Sequence, residues 1–141
     1  LSAYTKMSIG REGFLLQKNN PKNDFYEQER YARQDMRRFQ ASYPENAAVI
    51  QCYVEDACDR MDYEGSRMYD ECPDRYMLRR TCASIYNRIK KDSEKLSLEA
   101  GSSRKCGNLP KETLEELIEV LFYNEIYRRR CRRRQGKNFY P

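Results

Sequence analysis

The sequence contains no histidine and no tryptophan. Without histidine, the chain lacks the commonest general base at neutral pH and the commonest metal ligand. The Glu-x-x-His pairs of di-iron helical bundles cannot form, and a cysteine nucleophile would have no histidine partner. We therefore predict no catalytic residue, no metal site, no cofactor and no enzymatic activity.

Large aliphatic residues are also scarce. Leu, Ile, Val and Phe account for 24 of 141 residues, below the roughly 20% at which a compact core becomes doubtful. No apolar run reaches the roughly 18 residues of a membrane span, and the first residues lack the apolar stretch of a secretory signal. Twelve tyrosines, five methionines and six cysteines add apolar area instead. We expect one thinly cored domain that gains stability from contact with other copies.

Apolar residues recur at helical spacing in four segments, and these stripes are the predicted buried sides of the helices. They include Phe25, Tyr31 and Phe39 in the first segment, Ile50 in the second, Ile85 in the third and Phe122 in the fourth; Met68, in the loop after the second, is expected to point inward. Asp24 and Glu27 fit an N-terminal capping signal, and Pro44, Pro73 and Pro110 stand where a first-turn proline is favoured. The glutamates of the last segment are interpreted as its hydrated face. The four predicted helices cover about residues 25–40, 44–63, 73–91 and 110–135.

The remaining segments complete the predicted organisation. Residues 1–22 are expected to form an extended arm, and the Gly/Ser-containing stretch 92–108 a flexible linker. Gly136 is a typical C-terminal stop, which leaves 136–141 as a tail. The fold class that follows is all-α, a four-helix bundle-like single domain over residues 23–135.

Charge is concentrated in two opposed blocks. The ten residues from Arg128 to Lys137 carry seven positive charges and no negative one, whereas Glu55 to Asp74 hold eight carboxylates against two arginines. Guanidinium groups pair well with carboxylates and phosphates. The basic block therefore predicts carboxylate pairing within or between chains, polyanion binding, or a solvated helix end. The candidate residues are Arg128, Arg129, Arg130, Arg132, Arg133 and Arg134 in the basic block, and Glu55, Asp56, Asp59, Asp62, Asp70 and Asp74 in the acidic segment.

The six cysteines are widely spaced. They are Cys52, Cys58, Cys72, Cys82, Cys106 and Cys131. No Cys-x-x-Cys pair is present, so a zinc site would have to gather four thiolates from distant segments. Disulfides within or between chains, or buried free thiols, are the two interpretations that remain.

Several short motifs have a familiar pattern. They include residues 55–62 (EDACDRMD), 68–71 and 85–86, together with the terminal arginine run. On these motifs, residues 43–88 and 117–134 resemble a group of small, uncharacterised Cys- and Tyr-containing proteins from clostridial spore-forming bacteria. The resemblance implies a sporulating source and an expected place at the spore or cell surface, after synthesis in the mother-cell cytoplasm. It implies no site residues.

The leading functional hypothesis is a non-enzymatic structural protein that assembles with copies of itself into a filament or layer. The acidic segment of one copy would meet the basic block of the next, with Tyr and Met filling the contact, and such a head-to-tail contact can propagate. The alternative is a basic-tailed protein that binds nucleic acid or another polyanion.

Overall fold

The computed structural model describes residues 20–100 and 105–139, and it confirms the all-α fold class. Within these residues the chain forms four α-helices and two short 3-10 turns, at Arg67–Tyr69 and Lys105–Asn108, and no strand. The helices are α1 (Pro21–Ala41), α2 (Glu45–Met61), α3 (Arg75–Ala100) and α4 (Lys111–Phe139). Over the same residues, none of the helices combines the length and apolar composition needed to cross a bilayer.

The first helix begins earlier than predicted. The Asn20 side chain accepts a hydrogen bond from the backbone N–H of Lys22 at 3.2 Å, and Pro21 follows at the first helical position. An Asn cap followed by Pro is a stronger start signal than the Asp24 signal on which the prediction rested. The predicted arm over residues 1–22 falls, for residues 1–19, outside the described part of the chain.

The third and fourth helices are longer than predicted. α3 continues to Ala100, so residues 92–100 of the expected linker are helical, since they are rich in good helix formers such as Glu, Lys and Leu. α4 passes through Gly136 and reaches Phe139, so the predicted stop at this glycine is wrong.

The core is built from α2, α3 and α4, along the apolar stripes that the sequence predicts. Met68, in the loop after α2, is fully buried among them, as expected for this side chain. The buried members on the helices are Ile50, Val54, Cys58, Cys82, Ile85, Ile89, Leu114, Ile118, Phe122 and Ile126.

Helix α1 contributes little to this core. Phe25 is its single buried side chain, whereas Tyr31 and Phe39, predicted on its apolar stripe, are 60% and 70% exposed. Among residues 20–100 and 105–139, α1 packs mainly against α4, and no other described element covers most of its apolar stripe.

Two glycines shape the connections. Gly65 has a φ of +81°, a left-handed conformation that suits glycine, and it turns the chain after α2. Gly107 lies directly against α3, where Lys90 Nζ donates a hydrogen bond to its carbonyl at 2.6 Å. This contact anchors the start of α4 to the middle of α3.

Candidate functional site

The arginine block at the end of α4 lies against its own chain. Its neighbours are the end of α2, the segment 62–74 that follows it, and α1. We call the five arginines that contact these elements the arginine clasp: Arg128, Arg129, Arg130, Arg132 and Arg133. Arg134 is not part of it, because its hydrogen bond goes to Cys131 on the same helix, at 3.8 Å.

Arg129 is the centre of the clasp. Its side chain is only 10% exposed, and it pairs with Glu125 at 2.9 Å, Asp59 at 2.7 Å and Asp62 at 3.3 Å. Burial alone lowers the pKa of Arg129, but hydrogen bonds to Asp59 and Glu125 outweigh it and raise the pKa above its ordinary value. The guanidinium therefore stays charged and joins α4 to the end of α2.

Arg130 holds the loop after α2 through backbone carbonyls. It donates hydrogen bonds to the carbonyl oxygens of Met68 at 2.9 Å, Glu71 at 3.2 Å and Asp70. These carbonyls lie at and after the first 3-10 turn, which leaves them without helical partners. A guanidinium with several N–H donors satisfies them together.

Arg133 stacks on an aromatic ring. Its guanidinium carbon lies 4.1 Å from the centroid of the Tyr69 ring, and its Nη2 donates to Glu64 at 3.1 Å. The Tyr69 hydroxyl donates to Asp62 at 2.5 Å, and burial together with this hydrogen bond raises the pKa of Tyr69 to about 12. The ring is thereby fixed between α4 and the loop, in a geometry that favours a cation–π contact.

The other clasp residues hold α1. Arg128 pairs with Glu125 and also contacts the Met36 sulfur at 3.0 Å, and Arg132 pairs with Glu29 at 3.3 Å. Because α1 buries so little apolar surface, these polar contacts with α4 are a large part of its attachment.

The start of the acidic segment is also satisfied within the chain. Asp56 pairs with both Arg60 and Arg88 at 2.5 Å, and the hydrogen bond from Arg88 lowers the pKa of Asp56. Glu55 accepts a hydrogen bond from Gln51 at 3.1 Å.

The end of the segment has structural roles too. Asp74 accepts a hydrogen bond from the backbone N–H of Tyr76 at 3.1 Å, at the start of α3, and Asp70 offers its carbonyl to Arg130. The sequence left pairing within the chain and pairing between chains open. Inside one chain most charged groups of the opposed blocks already have partners, so the charge pattern no longer argues for a contact between copies through these residues.

Acid is expected to weaken the clasp through Glu125. Burial alone raises the pKa of Glu125, but the hydrogen bonds and charges of Arg128 and Arg129 outweigh it, and the pKa lies below its ordinary value of 4.5. A carboxylate whose pKa is depressed by folding stabilises the fold above the unfolded pKa. That contribution is lost as the pH falls through the folded value.

We therefore expect the free energy of unfolding, measured by urea denaturation, to fall as the pH drops below about 4.5. The Glu125→Gln variant is less stable at neutral pH, because Arg129 loses a buried partner, but its stability declines less steeply with acid. A variant with the wild-type slope would show that Glu125 does not carry this dependence.

No two of the six cysteines lie at disulfide-bonding distance. A disulfide within the chain, one of the two interpretations of the sequence, is therefore absent from this structure. Cys58, Cys82 and Cys106 are buried, Cys131 is half-buried, and Cys52 and Cys72 are exposed. Burial raises the pKa of Cys58 and of Cys82 to about 12, which suppresses the reactive thiolate.

A thiol titration of the reduced protein with Ellman's reagent checks this arrangement. We expect Cys52 and Cys72 to react rapidly in the native protein and Cys131 more slowly. Cys58, Cys82 and Cys106 should react only after guanidinium chloride is added. Rapid native reaction of all six thiols would contradict the packing of α2 against α3 and α4.

A second cationic stretch, on α3, was missed by the sequence analysis. Residues 75–91 contain six arginines and lysines and no carboxylate. Among the ion pairs of the described residues, this stretch contributes one, between Arg88 and Asp56. Arg80, Arg88 and Lys91 line an open groove on the outward side of α3, together with small and polar side chains. The count that found the basic block at 128–137 would have found this stretch as well.

The first half of α4 has the opposite charge. Glu112, Glu115, Glu116 and Glu119 are exposed, and Lys111 is the one cation among residues 111–127. Exposed apolar side chains lie further along α4 and at the start of α3. They are Val120, Tyr123 and Tyr127 on α4 and Tyr76 at the start of α3, with Tyr76 71% and Tyr127 63% exposed.

In comparisons with protein-family models, curated proteins and solved structures, none matches the chain. The fold and its surfaces are therefore interpreted from their own chemistry, and the resemblance to a clostridial group stays a prediction.

Proposed function

We propose that this chain is a non-enzymatic structural protein that associates with copies of itself, and that the contact lies on the outward face of α3 and α4. The observation that carries the proposal is the set of exposed apolar side chains there: Tyr76, Val120, Tyr123 and Tyr127. Tyrosine supplies a large contact area at a low cost in side-chain entropy. Such side chains on a thinly cored domain favour burial against a neighbour.

The predicted contact between basic and acidic blocks is replaced in this proposal. The arginine clasp is committed to its own chain, so it acts as an internal fastening that keeps α1 and the 62–74 loop on α4. Self-association then depends on surfaces that the clasp leaves uncovered.

A filament or layer requires a second contact surface besides the first. Helix α1 offers one, because Tyr31 and Phe39 are largely exposed along it. A position in a layer at the spore surface, as the resemblance to the clostridial group implies, remains part of the proposal. Electron microscopy of the purified protein distinguishes fibres and sheets from discrete particles.

Light scattering after size-exclusion chromatography, over a range of protein concentrations, tests the proposal. We expect an oligomer in the wild-type protein and a shift towards monomer in the Tyr76→Ser/Tyr127→Ser variant. Tyr63→Ser is the matched control, since Tyr63 is an equally exposed tyrosine in the loop after α2. A wild-type monomer at every concentration would refute the proposal.

Polyanion binding is the second candidate, and the cations of α3 favour it. The clasp has engaged most of the basic block, so Arg80 and Lys91 of the α3 groove replace it as the candidate phosphate contacts. The logarithm of the affinity for a DNA oligonucleotide would then fall with the logarithm of the salt concentration, with a slope of about −0.9 per phosphate neutralised. In the Arg80→Ala/Lys91→Ala variant the slope should be shallower by the contribution of about two phosphates.

A further inference from the structure

Helices α3 and α4 run antiparallel, side by side. Tyr123 of α4 lies beside the start of α3, near Arg75 and Arg79. Burial raises the pKa of Tyr123, and the charges of these two arginines partly oppose the increase. At the other end, Lys90 of α3 reaches the carbonyl of Gly107, just before α4 begins. The start of α3 is therefore level with the middle and second half of α4, and the middle of α3 with the start of α4.

Each helix turns one row of side chains outward, and the two rows have the same spacing. Positions i, i+4, i+8, i+11 and i+15 lie on one side of a helix. All ten residues concerned are exposed. The α3 row is Tyr76, Arg80, Ser84, Asn87 and Lys91, and the α4 row is Glu112, Glu116, Val120, Tyr123 and Tyr127.

The two rows carry opposite net charges, and their tyrosines lie at the same height along the helix axes. The α3 row carries two cations and no carboxylate, and the α4 row carries two carboxylates and no cation. Because the helices are antiparallel, Tyr76 stands level with Tyr123 and Tyr127, while Lys91 stands level with the end of α4 that carries Glu112. The apolar ends of both rows thus lie together, with Arg80 one turn away from Tyr76, and Lys91 lies at the same end as Glu112.

We infer that two copies of the chain pair about a two-fold axis parallel to α3 and α4, so that the α3 row of each copy faces the α4 row of its partner. This inference rests on the proposed function, and it names the surface and the symmetry.

Rotation about that axis leaves the height along the helices unchanged. Tyrosines therefore meet tyrosines across the axis, and Lys91 of each copy meets the Glu112 end of the other, once on each side. Arg80 lies between the tyrosines and Glu116 of the other copy, about one helical turn from this carboxylate.

The other two-fold arrangement of this face is disfavoured. An axis perpendicular to the helices, within the contact plane, would place α3 on α3 and α4 on α4. This rotation inverts the height along the helices, so Lys91 would face Tyr76 and Glu112 would face Tyr127. No cation would then meet a carboxylate, and the charged groups would lose water without gaining a partner. Because a two-fold contact uses the same patch on both subunits, it closes on itself. The unit formed through this face is a dimer, and any larger assembly uses another surface.

Charge reversal in two complementary variants tests the pairing. The first variant, Arg80→Glu/Lys91→Glu, makes both rows acidic; the second, Glu112→Lys/Glu116→Lys, makes both rows basic. Each variant alone should dimerise about tenfold or more weakly than the wild-type protein in analytical ultracentrifugation at low salt. An equimolar mixture should form a one-to-one heterodimer, because both contacts in it again join opposite charges. The four-substitution chain should recover its homodimer for the same reason.

The control is Arg30→Glu/Arg37→Glu, which changes the net charge equally but lies on α1. It should leave dimerisation unchanged, and circular dichroism should show all variants folded. An oligomer that both charge-reversed variants leave intact, or a mixture that fails to form heterodimers, overturns the pairing but not self-association. A monomeric wild-type protein overturns both, and loss of single-stranded DNA binding in Arg80→Glu/Lys91→Glu would then assign the α3 row to a polyanion.

Discussion

Arg129→Ala is expected to lower the free energy of unfolding by about 3–5 kcal/mol, the cost typical of breaking a buried ion pair by removing one partner. The substitution leaves Glu125 buried with Arg128 as its one remaining cation, and the Glu125 side chain is as enclosed as that of Arg129. It also frees Asp59 and Asp62 at the end of α2. Urea denaturation followed by circular dichroism measures the loss.

The matched control lies in the same arginine run. Arg134→Ala removes an equal charge from an exposed residue outside the clasp, so its effect should stay within about 0.5 kcal/mol. Arg129→Lys keeps the charge but not the planar fork that reaches three carboxylates, and we expect an intermediate loss. Equal effects of Arg129→Ala and Arg134→Ala would mean that the clasp does not stabilise the fold.

Gly107→Ala is expected to lower the free energy of unfolding by about 1–3 kcal/mol, the range typical of overpacking. A Cβ at this position would lie 2.5 Å from Ser93 Cβ and closer still to its Oγ. Rotation of Ser93 about its first side-chain torsion moves the Oγ but not the Cβ, so the backbone of the second 3-10 turn or of α3 must shift. That shift also disturbs the hydrogen bond from Lys90 to Gly107.

The same substitution at Gly136 should raise the free energy of unfolding instead of lowering it. There a Cβ would lie 3.9 Å from the Phe25 ring, an ordinary contact, and alanine is favoured over glycine inside a helix by up to about 1 kcal/mol. Thermal unfolding of both variants compares them directly. Ser93→Gly in the Gly107→Ala background should recover part of the loss, and its failure to do so would place the strain elsewhere.

Much of the fold could be predicted because it depends on local patterns. The apolar stripes of α2, α3 and α4 identified Ile50, Ile85 and Phe122 as core residues, since helical periodicity directly reflects which side is buried. The same reasoning was wrong for Tyr31 and Phe39 of α1. A stripe predicts that a face is apolar, but whether another element covers it depends on where that element lies.

The sequence predicted which charged residues belong to the candidate site, but not which of them pair with one another. The sequence identified Arg129 and Asp59 as charged candidates, but these residues are 70 positions apart. Their pairing within one chain follows from the packing of α4 against α2. The α3 cations could have been found by the same charge count, whereas their position beside the helix that carries the exposed glutamates required the packing of α3 against α4.

The sequence by itself determined four helices, the buried sides of α2, α3 and α4, and two opposed blocks of charge, because periodicity and net charge are properties of neighbours along the chain. The tertiary structure decided which charges neutralise one another and which remain on the surface. It did so because packing brings distant segments within ion-pair distance, and a carboxylate already held by Arg129 is no longer available to a neighbouring molecule.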